Sequence, residues 1–172
     1  TTLFRSNLLK KLSFPRLTLP LIVVASALLN FSIIFGLFML FLLVTGNLPG
    51  LSILGLIPLL ALHILFAVGL GITLGVLNVF FRDVGQVSGV LLQFWFWATP
   101  IVYPATILPD WLQPWMNLNP MYPLMRAYQG IFVANQWPQW HSLAIFAALA
   151  IGLALYALRL FRRHAGEIVD EL

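Results

Sequence analysis

Charge is what this sequence has least of. Only 8% of its 172 residues are charged, whereas 61% are hydrophobic. A soluble domain usually carries about a quarter charged residues. So few charges cannot cover a folded surface in water, so the composition excludes an ordinary soluble domain and predicts an integral membrane protein.

Cysteine is absent, which excludes a disulfide framework and a thiolate metal site. A G-x-x-x-x-G-K-[ST] loop is also absent, so P-loop ATP hydrolysis is not expected on this chain. The histidines His63, His141 and His164 lack metal-ligand spacing. We therefore expect no catalytic residue, no metal and no cofactor here. His63 lies in mid-span, where a hydrogen bond to a neighbouring helix or a proton relay would explain a costly polar group.

Three runs contain no Asp, Glu, Lys or Arg: residues 17–81, 84–109 and 127–158. A crossing needs roughly 20 apolar residues for a hydrocarbon core of about 30 Å. The runs predict an all-α integral membrane protein with four transmembrane helices, and the amphipathic stretch Asn7–Phe14 predicts a short cytoplasmic N-terminal helix before them. The expected spans are about 17–44, 52–77, 85–103 and 141–161.

The region before the last span has a different composition. Residues 100–138 hold seven of the 11 prolines, together with Trp111, Trp115 and Trp137. One straight helix cannot absorb so many prolines, yet the region is too apolar for a free loop. We expect short helices that re-enter the membrane or lie at its interface, about residues 104–138.

Basic residues predict the orientation. The four-span topology puts Arg126 alone on one side of the membrane. The other side receives seven basic residues: Lys10, Lys11, Arg16, Arg82, Arg159, Arg162 and Arg163. By the positive-inside rule the second side is cytoplasmic, which places both termini and the tail 162–172 in the cytoplasm. The same placement argues that the pI of about 10.0 reflects topology and not nucleic-acid binding.

Two local patterns add predictions. Gly71 and Gly75 form a G-x-x-x-G pair that could admit a second helix closely. The residues TTLFRS, 1–6, read like a translated sequencing adapter, with a basic leader as the alternative. Setting them aside as an artefact leaves 7–172 as a single transmembrane domain.

Several separated stretches resemble one family. They are NLLKKLSFPR (7–16), LNVFFRDV (77–84), TPIVYP (99–104), LNP (118–120) followed by Arg126, and FRRHAGEIVDEL (161–172). In order and spacing they resemble permease subunits of ABC transporters that export polysaccharides such as lipopolysaccharide O-antigen. Such permeases begin with an interfacial helix and two further spans, so the resemblance implies truncation before Asn7.

The resemblance also implies a mechanism. Two permease copies and two ATPase subunits, which hold ATP and Mg²⁺, would export a lipid-linked glycan across the bacterial inner membrane. The segment expected to couple to the ATPase or gate above it comprises Asn7, Lys10, Lys11, Phe14, Pro15 and Arg16. The expected cytoplasmic loop comprises Phe81, Arg82 and Asp83. The expected glycan path or external exit comprises Phe94, Trp97, Tyr103, Trp111, Trp115, Tyr122 and Arg126.

Alternatives stay open at this point. The aromatic residues also suit a lipid-facing interfacial belt, and the basic residues also suit simple topological anchoring. A related permease for a drug, lipid or other small molecule would offer a closed apolar pocket instead of a polar, aromatic path. A membrane-embedded glycan-processing enzyme would need convergent acidic or histidine residues, and outside the membrane the chain offers only Asp110 and Arg126.

Overall fold

The computed structural model describes residues 18–103 and 107–164, and over these ranges the protein is helical with no strand. The chain divides into two units, Thr1–Val44 and Thr45–Leu172. The expectation of an all-helical protein is thus confirmed for the described residues.

The described residues of the first unit form helix α1, Thr18–Val44. Its 27 residues give a length of about 40 Å at 1.5 Å per residue, enough to cross a hydrocarbon core of about 30 Å. Ser32 donates its hydroxyl hydrogen to the carbonyl oxygen of Leu28 at 2.7 Å. The helix therefore satisfies this polar side chain internally, as a lipid environment requires.

The second unit holds the remaining elements. A turn through Gly46, whose φ of 73° suits glycine, leads into a 3-10 helix, Leu51–Gly55. Five α-helices follow within the described part of this unit: α2 Leu56–Phe80, α3 Asp83–Ala98, α4 Gln113–Met116, α5 Met121–Ala134 and α6 Ala144–His164.

Helices α2 and α6 pack against each other and run in the same direction. A Cβ on Gly69 would lie 2.9 Å from the backbone nitrogen of Ala154, so the two backbones touch at this point. Farther along both helices, the rings of Phe80 and His164 meet edge-on with centroids 5.2 Å apart. Contacts that progress together along both helices require a parallel pair.

The close approach does not use the predicted glycine pair. A Cβ on Gly71 or Gly75 would meet no described atom of this chain within 4 Å. Gly69 lies on the buried side of α2 with Thr73, whose hydroxyl donates to the carbonyl oxygen of Gly69 at 2.8 Å. The G-x-x-x-G pattern therefore predicts the wrong face for the contact within this chain.

Helix α3 turns back along α2. The Asn78 side-chain oxygen, near the end of α2, accepts the backbone N–H of Gly85 at 2.7 Å, which satisfies one of the free donors of the first turn of α3. Near the other end of α3, the ring of Trp95 meets Phe66 edge-on at 6.0 Å. The two helices are therefore antiparallel.

Three described segments are long and apolar enough to cross a membrane: Ile22–Val44, Leu51–Phe80 and Ala144–His164. Their mean hydropathies are 2.6, 2.5 and 2.1. The 16 residues of α3 extend only about 24 Å, so this helix alone is short for a crossing. The four-span count stays a prediction.

Candidate functional site

Helix α5 is fixed at its first turn by Asn119. The Asn119 side-chain oxygen accepts the indole N–H of Trp95 at 2.9 Å and the backbone N–H of Met121 at 3.1 Å. Its amide nitrogen donates to the hydroxyl oxygen of Thr99 at 2.9 Å, and Thr99 is 2% exposed. One side chain thus joins the start of α5 to the end of α3.

Asn135 fixes the other end of α5. It has a φ of 51°, a left-handed conformation that asparagine tolerates better than most residues. Its side-chain oxygen accepts the backbone N–H of Gly50 at 2.8 Å and the hydroxyl of Ser52 at 2.5 Å. The end of α5 is therefore tied to the turn that precedes α2.

Two polar contacts hold the middle of α5. The amide of Gln129 donates to the carbonyl oxygen of Pro100 at 3.0 Å, a group that no helix would otherwise satisfy. The Tyr128 hydroxyl lies 3.4 Å from Nδ1 of His63. Within the described ranges, no buried side-chain nitrogen or oxygen lacks a partner.

A polar pocket of about 130 Å³ opens between α5 and the segment that leads to α6. Its lining includes Arg126 and Tyr122 on one side and Trp137 on the other. The Arg126 guanidinium lies 5.8 Å from the centroid of the Tyr122 ring, within cation–π range. Asp83 and Asp110 are the only acidic side chains in the described residues, and neither lines the pocket. The pocket is therefore a cationic one.

The predicted glycan-path residues fall into separate groups. Phe94 and Trp97 on α3 are 71% and 59% exposed, and the hydroxyl of Tyr103 donates to the carbonyl oxygen of Trp97 at 2.7 Å. Trp111 and Trp115 are also exposed, by 71% and 63%. Among all seven residues, the pocket brings together only Tyr122 and Arg126. The assignment of these seven residues to a glycan path stays a prediction.

The predicted cytoplasmic loop forms the tight connection between α2 and α3. Phe81 is 64% exposed and directly follows α2. Arg82 is the exposed residue before α3, and Asp83 is the first residue of α3. An acidic side chain in the first turn interacts favourably with the helix dipole. The predicted ATPase-coupling residues lie outside the described part of the chain: Asn7, Lys10, Lys11, Phe14, Pro15 and Arg16.

Sequence reasoning missed the residues that organise this region. Asn119 lies within the LNP triplet used for the family resemblance, but its hydrogen bonds were not predicted. Asn135 follows α5 as the sort of residue that ends a helix in left-handed conformation, a signal the sequence does contain. Gln129 and Trp137 carried no comparable signal, because their partners are distant in sequence.

No group of three metal-ligating side chains occurs among residues 18–103 and 107–164. The hydrogen bonds at the two ends of α5 join amide, hydroxyl and indole groups. They fix the position of the helix. With three segments fit to cross a bilayer, the architecture is that of a multi-pass helical membrane protein.

The ABC-2 type transporter family profile matches residues 1–133. The chain belongs to the ABC-2 type transporter family, and the resemblance drawn from its motifs is confirmed.

Named relatives agree with this family. The chain is 31% identical over 170 residues to the O-antigen export system permease protein RfbA of Myxococcus xanthus, covering 98% of this chain and 65% of the relative. It is 28% identical over 159 residues to an O-antigen export system permease protein RfbA of Klebsiella pneumoniae, covering 92% and 61%. The chain thus spans somewhat less than two thirds of these relatives.

Proposed function

We propose that this chain forms most of the transmembrane subunit of an ABC exporter that moves a cell-surface polysaccharide across the bacterial inner membrane. The substrate is a lipid-linked O-antigen or a related glycan. The subunit is a permease and not an enzyme, and ATP with Mg²⁺ is bound and hydrolysed by a separate ATPase subunit. Two permease copies enclose the path.

One observation carries this proposal. The chain aligns along 98% of its length with a protein named as an O-antigen export permease, so the similarity is not confined to one motif. Family membership gives the transporter class, and the name of the relative suggests the substrate.

We propose four crossings, with both termini in the cytoplasm. Support comes from the parallel arrangement of α2 and α6: for both to cross in the same direction, the intervening chain must return once. Helix α3 starts that return beside the end of α2, and α5 ends beside Gly50 and Ser52. On this proposal the segment 104–138 is re-entrant from the external side, and α5 is its outgoing limb, which ends beside the external end of α2.

The ATPase contacts are proposed on the cytoplasmic side. The short loop of Phe81, Arg82 and Asp83 exposes an aromatic ring and a cation, which suits a protein partner at that face. The segment 7–16 provides further basic and apolar residues for the same contact. Attraction of Lys10, Lys11 and Arg16 to anionic lipid headgroups is compatible with this role.

Export is tested by complementation. The full-length permease that contains this chain, expressed with its own ATPase in a strain lacking its O-antigen permease but retaining polymer synthesis, should restore surface O-antigen. A partner ATPase with an inactive phosphate loop serves as the control and should leave the polymer inside. Intact glycan synthesis and stable permease without surface display would refute the proposal, and resistance to a toxic small molecule would favour the drug-export alternative.

Topology is tested separately with reporters. A phosphatase that is active only outside the cytoplasm should be active when fused at Asp110 and inactive after Leu172. A fusion in the 81–83 loop should also be inactive, which checks that α3 begins on the cytoplasmic side. Activity after Leu172 would contradict the four-crossing topology.

A further inference from the structure

The geometry points to the pocket beside α5 as a binding subsite for one acidic sugar unit, a pyranose ring that carries a carboxylate. This inference rests on the proposed function, because it places a unit of the exported glycan at the external side of the permease. It names a ligand class and a set of residues that the family match does not specify.

The pocket is built by two segments that the fold holds together. Tyr122 and Arg126 belong to α5, whereas Gln136, Trp137 and Gln139 belong to the segment that returns from it. The backbone N–H of Gln136 donates to the carbonyl oxygen of Gly130 at 2.9 Å, which folds the returning segment against the helix. The asparagine contacts at both ends of α5 hold the opposite wall in place.

Three side-chain amides line the pocket without a hydrogen-bond partner among the described residues. The side-chain amides of Asn117, Gln136 and Gln139 are exposed and form no hydrogen bond with the part of the chain that the structure describes. Each amide offers donors and an acceptor, which matches the adjacent hydroxyl groups of a sugar ring. An apolar ligand would leave these amides unpaired.

Trp137 supplies an apolar surface next to the amides. Its side chain keeps 55% of its surface exposed, and it is anchored because one of its ring carbons lies 3.6 Å from where a Cβ of Gly55 would be. A ring that is anchored and still half exposed can stack against the C–H face of a pyranose. An inorganic phosphate has no C–H face that could stack on this ring.

Arg126 determines the charge of the ligand. Among the described residues that line the pocket it is the only charged side chain, and the Tyr122 ring lies 5.8 Å from its guanidinium carbon. Guanidinium groups bind carboxylates with paired, charge-assisted hydrogen bonds. A neutral sugar would use the amides and Trp137, and an acidic sugar would use Arg126 as well.

The test uses the full-length permease with its ATPase in phosphatidylcholine nanodiscs. Saturation-transfer NMR would compare methyl β-D-glucuronide with the neutral methyl β-D-glucoside. We expect saturable binding of the glucuronide, weaker binding of the glucoside, and loss of that preference in Arg126→Gln, with glucuronide affinity reduced about tenfold or more. Trp137→Leu should weaken binding of both sugars.

Matched variants control for general damage. Trp140→Leu changes an exposed tryptophan outside the pocket lining, and Arg159→Gln removes a cation from the far part of α6; both should bind the glucuronide as the wild-type protein does. Absence of saturable binding, or an unchanged preference in Arg126→Gln, overturns the inference. Loss of glucuronide binding when phosphatidylglycerol replaces phosphatidylcholine assigns the pocket to a lipid headgroup and also overturns it.

The inference and the proposed function fail in different ways. If surface O-antigen is restored but Arg126→Gln binds the glucuronide normally, the export function stands and the subsite is wrong. If the glucuronide binds with the expected dependence on Arg126 but no glycan reaches the surface, the proposed export function is wrong; the pocket then binds an acidic sugar that is not a unit of an exported glycan.

Discussion

Helices α6 and α5 are held beside α2 by different chemistry. Against α6 the contact depends on shape: Gly69 lets the backbones touch, and Phe146 and Ala150 are buried. The region of α5 depends instead on the side-chain amides of Asn119 and Asn135. Within a bilayer, transfer of apolar surface from lipid to a helix contact gains little free energy. Close packing and hydrogen bonds therefore supply most of the free energy of helix association.

The difference indicates that the α2–α6 contact is fixed and that the position of α5 is adjustable. A backbone contact at a glycine has little room to shift, because interiors are close-packed. The hydrogen bonds at the two ends of α5 can break one at a time and form again. We therefore expect substitutions in the α2–α6 contact to reduce the stability of the whole unit, and substitutions at the asparagines to loosen α5 first.

The largest effect is expected for Gly69→Leu. A side chain there would enter the backbone of Ala154, and overpacking of this kind costs about 1–3 kcal/mol or more. The melting temperature in detergent, followed by near-ultraviolet circular dichroism, should fall clearly. Gly71→Leu is the matched control, because the space beside Gly71 is open; equal effects of the two variants would disprove the assigned contact.

A smaller loss is expected for Asn119→Ala. Removing the side chain leaves the Trp95 indole N–H and the Thr99 hydroxyl without this partner, at a cost of about 1–2 kcal/mol. The fluorescence of Trp95, isolated by replacing the other tryptophans with phenylalanine, should shift as its hydrogen bond is lost. Asn117→Ala, nearby and without these bonds, should leave the spectrum as it is; a shift there would argue against the specific role of Asn119.

Substitutions at Asn135 separate its two roles, which are the side-chain hydrogen-bond acceptor and the left-handed backbone conformation. Asn135→Ala loses the acceptor for Gly50 and Ser52 and also strains the left-handed backbone, so a loss of about 1–2 kcal/mol is expected. Asn135→Gly restores the backbone freedom, and Asn135→Asp restores the acceptor. Both should be more stable than the alanine variant in the same melting assay, and a ranking with alanine highest would contradict the contact.

The smallest effect is expected for Tyr128→Phe. The oxygen-to-nitrogen distance of 3.4 Å to His63 is long for a hydrogen bond, and its loss should cost less than about 1 kcal/mol. The melting temperature should change by no more than a few degrees. A drop as large as that of Asn119→Ala would mean that His63 and Tyr128 carry more of the structure than their geometry indicates.

The sequence predicted the helical class well, because uninterrupted apolar runs leave a chain in lipid almost no other backbone solution. It did not predict the α2–α6 contact: Gly71 and Gly75 have the familiar spacing, but which face of α2 meets α6 depends on the whole unit. The Asn119 and Asn135 contacts were hidden for a related reason. Their partners are Trp95 and Thr99 for Asn119, and Gly50 and Ser52 for Asn135, and only the folded chain brings them together.

The parallel arrangement of α2 and α6 also orders events during synthesis. Ala154 leaves the ribosome roughly 85 residues after Gly69, a delay of several seconds at about 5–20 residues per second. Throughout that interval the glycine face of α2 must face lipid or the insertion machinery. A nascent chain halted before α6 therefore lacks the Ala154 backbone that fills the space beside Gly69 in the folded unit.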